Sequence, residues 1–174
     1  MNLSDVSKTA VLLLICRAVE SERQNSDLPD PMAVLCLERL ISLASEEDRD
    51  WLLKKKRMYE GLHGRDARAG AARGKLIDRA AERFIAAHPA CTLVNLACGF
   101  DTRFWRIKHD QGKYIELDLP EVITLKRELL QEQLSYEMIG RSVLDTAWID
   151  QVTAQGKADF LLLAEGLFMW LPKP

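Results

Sequence analysis

Four short apolar runs in the second half of the chain constrain the fold more than any other feature. The runs cover residues 92–97, 113–117, 136–139 and 159–164. Helical patterns separate them, at residues 102–107, 121–133 and 146–154. Strands that alternate with crossover helices form a parallel sheet, and uninterrupted apolar strands are typical of sheets covered on both faces. The pattern therefore predicts an α/β fold in which both faces of a parallel sheet are buried.

The preceding part of the chain, up to about residue 88, has a helical pattern. Apolar residues recur at helical spacing in residues 6–17 and 32–43, and a proline-containing loop separates these two segments. Ser45 precedes two glutamates and is a typical N-cap, so it predicts the start of a third helix. A fourth helix is predicted from Ala71 to Ala87. The sequence thus combines an N-terminal helical region with a sheet-forming region.

Size and charge exclude several classes of protein. The 174 residues suffice for one core, and the net charge of −2 gives no overall attraction to nucleic acid. The apolar run at residues 10–16 is far shorter than a membrane span, and no signal peptide pattern precedes it. We therefore expect no membrane association and a cytoplasmic location. The four cysteines and three histidines lack the spacing of metal or redox motifs, so we expect reduced, buried cysteines and no metal site.

Residues 54–83 form a basic segment. The segment contains ten Lys and Arg and four Asp and Glu, a local charge of +6, so the rest of the chain carries −8. A solvated helical face is the ordinary explanation of such a segment. A rim for an anionic ligand is the functional alternative, and RNA binding is a weaker one because aromatic residues do not interleave with the basic ones.

Glycine and acidic residues follow the apolar runs, at the sheet edge where ligands bind in parallel folds. Gly99, Asp118, Asp145 and Glu165 come after the first, second, third and fourth run, respectively. A carboxylate that ends the second strand can accept hydrogen bonds from ribose hydroxyls, which indicates an adenosine-containing cofactor. The alternative is that Gly99 only turns the chain and Asp101 caps the next helix.

The residues after the first run favour a cofactor without phosphates. In residues 97–102, two of the three glycines of a dinucleotide-binding loop are missing, and Asp101 would place a negative charge near the pyrophosphate. S-adenosylmethionine has no phosphate and carries a positive sulfonium, so an acidic rim suits it better. Residues 70–75 resemble a phosphate-binding loop, but the glycine spacing is short and Leu76 replaces the magnesium-binding hydroxyl residue.

Four motifs, in order and spacing, resemble the leucine carboxyl methyltransferase family, which includes bacterial polyketide carboxylate O-methyltransferases. The motifs are residues 94–107, 114–122, 142–145 with Trp148, and 163–172, and residues 17–21 and 30–31 resemble the family's N-terminal region. The resemblance implies a Rossmann-like class I methyltransferase that uses S-adenosylmethionine. It implies a helical lid region in residues 1–70 and a cofactor-binding core in residues 71–174. Family members continue with further strands and helices, so we expect a chain truncated after its fourth strand.

The resemblance also implies a set of cofactor-binding residues: Arg17, Arg73, Ala97, Gly99, Asp118, Asp145, Thr146 and Glu165. In the family pattern Arg73 holds the methionine carboxylate, Asp118 the ribose and Asp145, with its neighbour, the adenine. Glu165 lies beside the methionine portion and Arg17 near the cofactor. Ala97 and Gly99 belong to the loop under the cofactor, and Ala97 replaces the usual glycine, which predicts modest weakening of binding.

The implied reaction is in-line attack of a substrate oxygen on the sulfonium methyl group. Because a carboxylate is already ionised near neutral pH, no general base is required, and we assign no catalytic residue. Substrates would be a small carboxylic acid or hydroxyl compound, or the carboxylate at a protein C-terminus. Two alternatives stay open: an incomplete cofactor-binding or interaction module, and an RNA-directed methyltransferase that uses the basic segment.

Overall fold

A computed structural model of the chain describes residues 2–154 and 159–171. The chain divides into two compact units. The first unit comprises Met1–Ala80 and Phe100–Ile107, and the second comprises Ala81–Gly99 and Lys108–Pro174. The functional boundary expected after residue 70 stays a prediction.

The first unit is helical, as predicted. Its helices are α1 (Asp5–Ser21), α2 (Pro31–Leu43), α3 (Glu46–Glu60) and α4 (Gly64–Ala87), the last of which continues into the second unit. Side chains at three N-caps accept backbone N–H groups, and these are Ser4, Asp30 and Ser45. The predicted cap at Ser45 is confirmed. Helix α4 begins earlier than predicted because Ala67 and Ala71 are fully buried, and their packing outweighs the low helix propensity of the neighbouring glycines.

The second unit contains the predicted parallel sheet. Its strands are β1 (Thr92–Leu96), β2 (Lys113–Asp118), β3 (Glu137–Gly140) and β4 (Phe160–Ala164), in the order β3-β2-β1-β4. All three pairings are parallel. Helix α5 (Pro120–Leu130) follows β2, and helix α6 (Ala147–Thr153) follows β3. In the first unit, the helical pattern of residues 102–107 is a short 3-10 turn, Arg103–Trp105, rather than a full helix.

The strands differ in burial. Strand β1 is buried throughout, and β2 is buried after Lys113. In β4, which has the most apolar sequence, only Leu163 is buried, and 54% of Leu162 is exposed. Burial on both faces was therefore wrong for β4. Within the described residues β4 ends the strand order and pairs with β1 alone. The other terminal strand, β3, keeps Met138 and Ile139 buried, so the exposure of β4 reflects the cover on its faces and not its end position.

The two faces of the sheet have different chemistry. One face carries an apolar core that includes Val94, Ile115 and Leu117, with Trp148 and Val152 of α6 packed against it. Because successive side chains of a strand alternate between faces, Tyr114, Glu116 and Asp118 all lie on the opposite face of β2. Polar residues are thus buried on one side of β2 and apolar residues on the other.

Three further observations concern the expectations from composition. All four cysteines are free and buried, as predicted, and burial raises the pKa of the Cys16 thiol to about 11. No helix in residues 2–154 and 159–171 is long and apolar enough to cross a membrane. The same residues contain no group of three or more His, Cys, Asp or Glu placed to hold a metal ion. Residues 172–174, which include the end of the fourth motif, lie outside the described residues.

Candidate functional site

The turn after β1 is held in an unusual backbone conformation. Ala97 has φ 49° and Gly99 has φ 52°, so two of three consecutive residues are left-handed. Glycine adopts this region freely, whereas a residue with a Cβ is strained by about 1–2 kcal/mol. The backbone N–H of Cys98, between them, donates to the Leu117 carbonyl at 3.2 Å. This contact fastens the turn to the end of β2.

Asp118, the last residue of β2, is tied to the same turn. Its Oδ2 accepts the backbone N–H of Gly99 at 2.6 Å, and its Oδ1 accepts the backbone N–H of Leu119 at 2.7 Å. The structure therefore brings Gly99 and Asp118 together, as the order of the runs predicted. An ionised carboxylate has about four acceptor positions, so the two backbone donors fill about half of them.

The surroundings of Asp118 act on its ionisation in opposite directions. Burial raises the pKa of this carboxyl above its usual range, and the backbone N–H groups of Gly99 and Leu119 and the charge of Lys126 partly oppose that effect. Helix α5 begins at Pro120, directly beyond, so the positive end of its dipole also lies near Asp118. The Asp118 carboxyl is therefore a buried hydrogen-bond acceptor, and its neighbours determine whether it is ionised.

Glu165 lies at the same sheet edge as Ala97. Leu96 pairs with Ala164, so Ala97 and Glu165 are the first residues beyond the paired ends of two adjacent strands. Glu165 is partly buried, and Gly166 after it has φ 73°, a left-handed value that glycine adopts without strain. The chain therefore turns sharply after both β1 and β4.

Asp145 and Thr146 follow β3 and are exposed. Asp145 accepts the backbone N–H of Ala147 at 3.2 Å and forms an ion pair with Arg141. The hydrogen bond from Arg141 and that backbone contact lower the pKa of the Asp145 carboxyl. Asp145 thus shapes the first turn of α6, in addition to the adenine contact that the family resemblance implies.

Arg17 and Arg73 belong to the first unit, and they differ in exposure. Arg73 is an exposed residue of α4. Arg17, on α1, is buried, and its Nη1 lies 3.1 Å from Oδ1 of Asp101. The glycine spacing that imitates a phosphate loop lies inside helix α4, as its helical pattern indicated.

A buried charge cluster surrounds Asp101 in the first unit. Its members are Asp30, Asp78, Asp101, Arg17, Arg103 and Arg106. Arg103 lies 2.6 Å from both Asp78 and Asp101, and Arg106 Nε lies 2.8 Å from Asp78. Burial alone would lower the pKa of Arg106, but the three carboxylates raise it overall. Three positive and three negative charges balance, which allows them to be buried.

The charge cluster corrects one expectation. The sequence predicts that Asp101 is part of an acidic rim for a positive cofactor, but in the structure its carboxylate contacts three arginines of the charge cluster. It also accepts the backbone N–H of Arg103 at 3.1 Å, which is close to the capping alternative. Asp101 therefore has a structural role in the first unit.

Glu116 and Lys126 form a second buried pair, in the second unit, and the sequence pattern did not predict it. Both side chains are fully buried, with Lys126 Nζ 2.7 Å from Glu116 Oε2. Two signals were available. Glu116 interrupts an apolar strand, and Lys126 falls among the buried residues of α5, between Val122 and Leu129.

The family model for leucine carboxyl methyltransferase matches residues 10–174, nearly the whole chain. The chain belongs to the leucine carboxyl methyltransferase family. The described architecture, with a four-stranded parallel sheet and six α-helices, agrees with the Rossmann-like fold implied by the motifs.

Several curated relatives of this family member are methyltransferases by name. The tetracenomycin polyketide synthesis O-methyltransferase TcmP of Streptomyces glaucescens is 33% identical over 98% of this chain and 58% of its own length. The S-adenosyl-L-methionine-dependent methyltransferase dpfgK of Gibberella zeae is 24% identical over 99% of this chain and 58% of its own. A putative S-adenosyl-L-methionine-dependent methyltransferase of Mycobacteroides abscessus is 31% identical over 97% and 57%. The chain thus spans somewhat more than half the length of these relatives.

Proposed function

We propose that the chain binds S-adenosylmethionine and transfers its methyl group to a carboxylate or hydroxyl oxygen of a small molecule. The observation that carries this proposal is the contact between Gly99 and Asp118 at the sheet edge. The contact presents a buried carboxylate of partly unused acceptor capacity, which suits the two hydroxyls of a ribose. When bound, the cofactor supplies a methyl group on a positively charged sulfur.

The residues at the edge fit a nucleoside better than a phosphate. Asp118 can accept hydrogen bonds from the ribose of a nucleoside, and residues 97–102 lack two of the three glycines of a pyrophosphate-binding loop. In our proposal Asp118 holds the ribose, Asp145 and Thr146 lie beside the adenine, and Glu165 lies beside the methionine portion. Ala97 and Gly99 form the floor of the proposed cofactor site. Arg73 and Arg17 carry over from the family pattern as the basic residues for the methionine carboxylate and its surroundings.

A carboxylate acceptor requires little chemistry from the protein. It is already ionised near neutral pH, so the protein's task is to align the acceptor oxygen and exclude water. The name of the relative TcmP supports a polyketide-like small molecule as the acceptor class. We propose a cytoplasmic location, because free, buried cysteines are typical of reducing compartments.

Calorimetric titration with S-adenosylhomocysteine tests cofactor binding. We expect saturable binding that weakens about tenfold or more in Asp118→Ala, because a hydrogen bond to a buried charged group is removed. Asp110→Ala, which changes an exposed aspartate of the same unit, is the matched control and binds normally. The proposal fails if the folded chain does not bind, and the site assignment fails if Asp118→Ala binds as the native chain does.

Methyl transfer to a panel of carboxylic acids and phenols tests the reaction. We expect methyl esters or ethers to form from at least one aromatic acceptor. Cofactor binding without transfer to any acceptor would favour the alternative of a binding module without catalysis. Transfer to RNA that weakens steeply with salt, and is lost when residues 54–57 are neutralised, would favour the RNA-directed alternative.

A further inference from the structure

A buried polar network occupies the polar face of β2, and the proposed chemistry does not use it. At its centre, Lys126 Nζ lies 2.7 Å from Glu116 Oε2, and both side chains are fully inaccessible to solvent. Glu116 also accepts the hydroxyls of Tyr136 at 3.1 Å and Tyr114 at 3.4 Å. Asn95 donates to the Tyr114 hydroxyl at 3.2 Å. The network joins β1, β2 and α5.

Stability alone is a weak reason for such a network. Removing two charges from water costs several kcal/mol per ion, and replacing a buried ion pair by apolar residues is often neutral or stabilising. The opposite face of the same sheet shows that this chain can fill such space with apolar side chains. A charge pair in this position therefore points to an electrostatic effect on a neighbour.

Asp118 is that neighbour. Glu116 and Asp118 lie two positions apart on β2, on the same face and about 6.6 Å apart along the strand. Lys126 belongs to α5, which begins at Pro120, two residues after Asp118. Glu116 binds the Lys126 ammonium on the same face of β2 that carries Asp118. The two backbone N–H groups that donate to Asp118 carry no net charge, so they do not supply a positive charge themselves.

We propose that Lys126 is a positioning residue for the cofactor ribose: its buried ammonium, anchored by Glu116, keeps Asp118 an ionised acceptor of hydrogen bonds. The inference rests on the proposed function, because it assigns the ribose to Asp118. Lys126 acts through Asp118 and does not itself touch the cofactor.

Several charged groups act on Asp118, and their signs make the inference testable. Lys126 lowers the pKa of Asp118, whereas Glu121, also on α5, raises it. Glu116 on β2 adds a negative charge, and after β3 the charges of Arg141 and Asp145 are paired with each other. Tyr136 stays a hydroxyl donor, because burial and the charge of Glu116 raise its pKa. Among these groups, Lys126 is a positive charge that favours ionised Asp118.

Two single substitutions separate this role from simple packing. Lys126→Met removes the ammonium, so protonation of Asp118, and with it the loss of affinity, moves to higher pH. Glu116→Gln removes a negative charge near Asp118 and keeps an amide oxygen as an acceptor for the ammonium, so the same midpoint moves to lower pH. A purely structural network predicts that both variants lose stability and affinity together, with an unchanged midpoint.

The experiment measures S-adenosylhomocysteine affinity as a function of pH for the native chain and both variants. A parallel carboxyl ¹³C NMR titration of Asp118 needs no ligand. Lys8→Met, which breaks an ion pair with Asp48 in the first unit, is the control and leaves the Asp118 midpoint unchanged. If Lys126→Met does not fold, Glu116→Gln alone still gives a signed result.

The expected result is a pair of midpoint shifts in opposite directions. Shifts in the same direction, or no shift in either folded variant, overturn the inference even when the native chain binds the ligand. If the native chain binds no S-adenosylhomocysteine, the proposed function fails, and the NMR titration still decides whether Lys126 controls the ionisation of Asp118.

Discussion

Asp101, five residues after the end of β1, and Asp118, the last residue of β2, are both buried aspartates, yet they have different surroundings. Asp101 contacts three arginines in the balanced charge cluster of the first unit. The carboxylate of Asp118, in the second unit, accepts two backbone N–H groups. The guanidinium groups around a carboxylate neutralise its charge and fill its hydrogen-bond acceptor positions. A carboxylate held by two backbone donors keeps capacity for a ligand.

The difference teaches that burial of an acid does not by itself identify a binding site. Both residues come after Gly99 in the sequence, and the sequence alone allows both to belong to an acidic rim. The partners differ: three guanidinium groups contact the Asp101 carboxylate, whereas the two backbone donors of Asp118 leave part of its acceptor capacity for a ligand.

The largest effect is expected from breaking the charge cluster. Asp78→Ala removes a carboxylate that contacts both Arg103 and Arg106, and leaves two buried guanidinium groups with reduced compensation. We expect the free energy of unfolding to fall by about 3–5 kcal/mol, measured by urea denaturation. Asp66→Ala, in the same helix but exposed, is the control, with a change within about 0.5 kcal/mol. Equal stabilities for the two variants would contradict the structural role of the charge cluster.

Arg73 provides the opposite case, an exposed charge with a proposed ligand. We expect Arg73→Gln to leave the free energy of unfolding unchanged and to lower the affinity for S-adenosylhomocysteine about tenfold, because a charge-assisted hydrogen bond to the methionine carboxylate is lost. Arg79→Gln, also exposed on α4, is the matched control for affinity. If both variants bind equally well, the family assignment of Arg73 does not hold for this chain.

Ala97→Gly relieves strain in the turn that touches Asp118. The left-handed φ of 49° destabilises alanine by about 1–2 kcal/mol, and Ala97→Gly removes this strain. Glycine also makes the unfolded chain more flexible, which favours unfolding by about 0.4–1 kcal/mol and offsets part of the gain. We expect a net stabilisation of about 0.5 kcal/mol, together with unchanged or slightly tighter cofactor binding. A clear loss of stability would show that the Ala97 methyl group contributes packing that exceeds the strain.

The smallest effect concerns pH. The native pKa of Asp118 lies above the unfolded value of 3.8, so the native state binds more protons between these two values. Ionisation of Asp118 therefore subtracts stability as pH rises through that window. Between the unfolded and the native pKa of Asp118, the stability of Asp118→Asn relative to the native chain should increase with pH, and above the native pKa the difference should be constant. Urea denaturation at several pH values measures this difference. A difference that is constant with pH would contradict the raised pKa.

The sequence predicted the elements well because periodicity reports backbone geometry. All four strands and the N-terminal helices were found, with the Gly99–Asp118 contact implied by strand order. The buried charges were not predicted, because a pattern shows where polar residues fall but not which partner they meet. Lys126 and Arg103 look like surface residues until their carboxylates are placed. The exposure of β4 depends on which elements cover its faces, and its apolar sequence does not encode that.

Carboxyl ¹³C NMR of aspartate-labelled protein, with and without S-adenosylhomocysteine, tests the contrast between the two acids most directly. Assignment of Asp101 and Asp118 uses their single asparagine variants. Our account predicts that the Asp118 resonance moves on saturation with the ligand while the Asp101 resonance stays in place. A shift of Asp101 with Asp118 unchanged would contradict it.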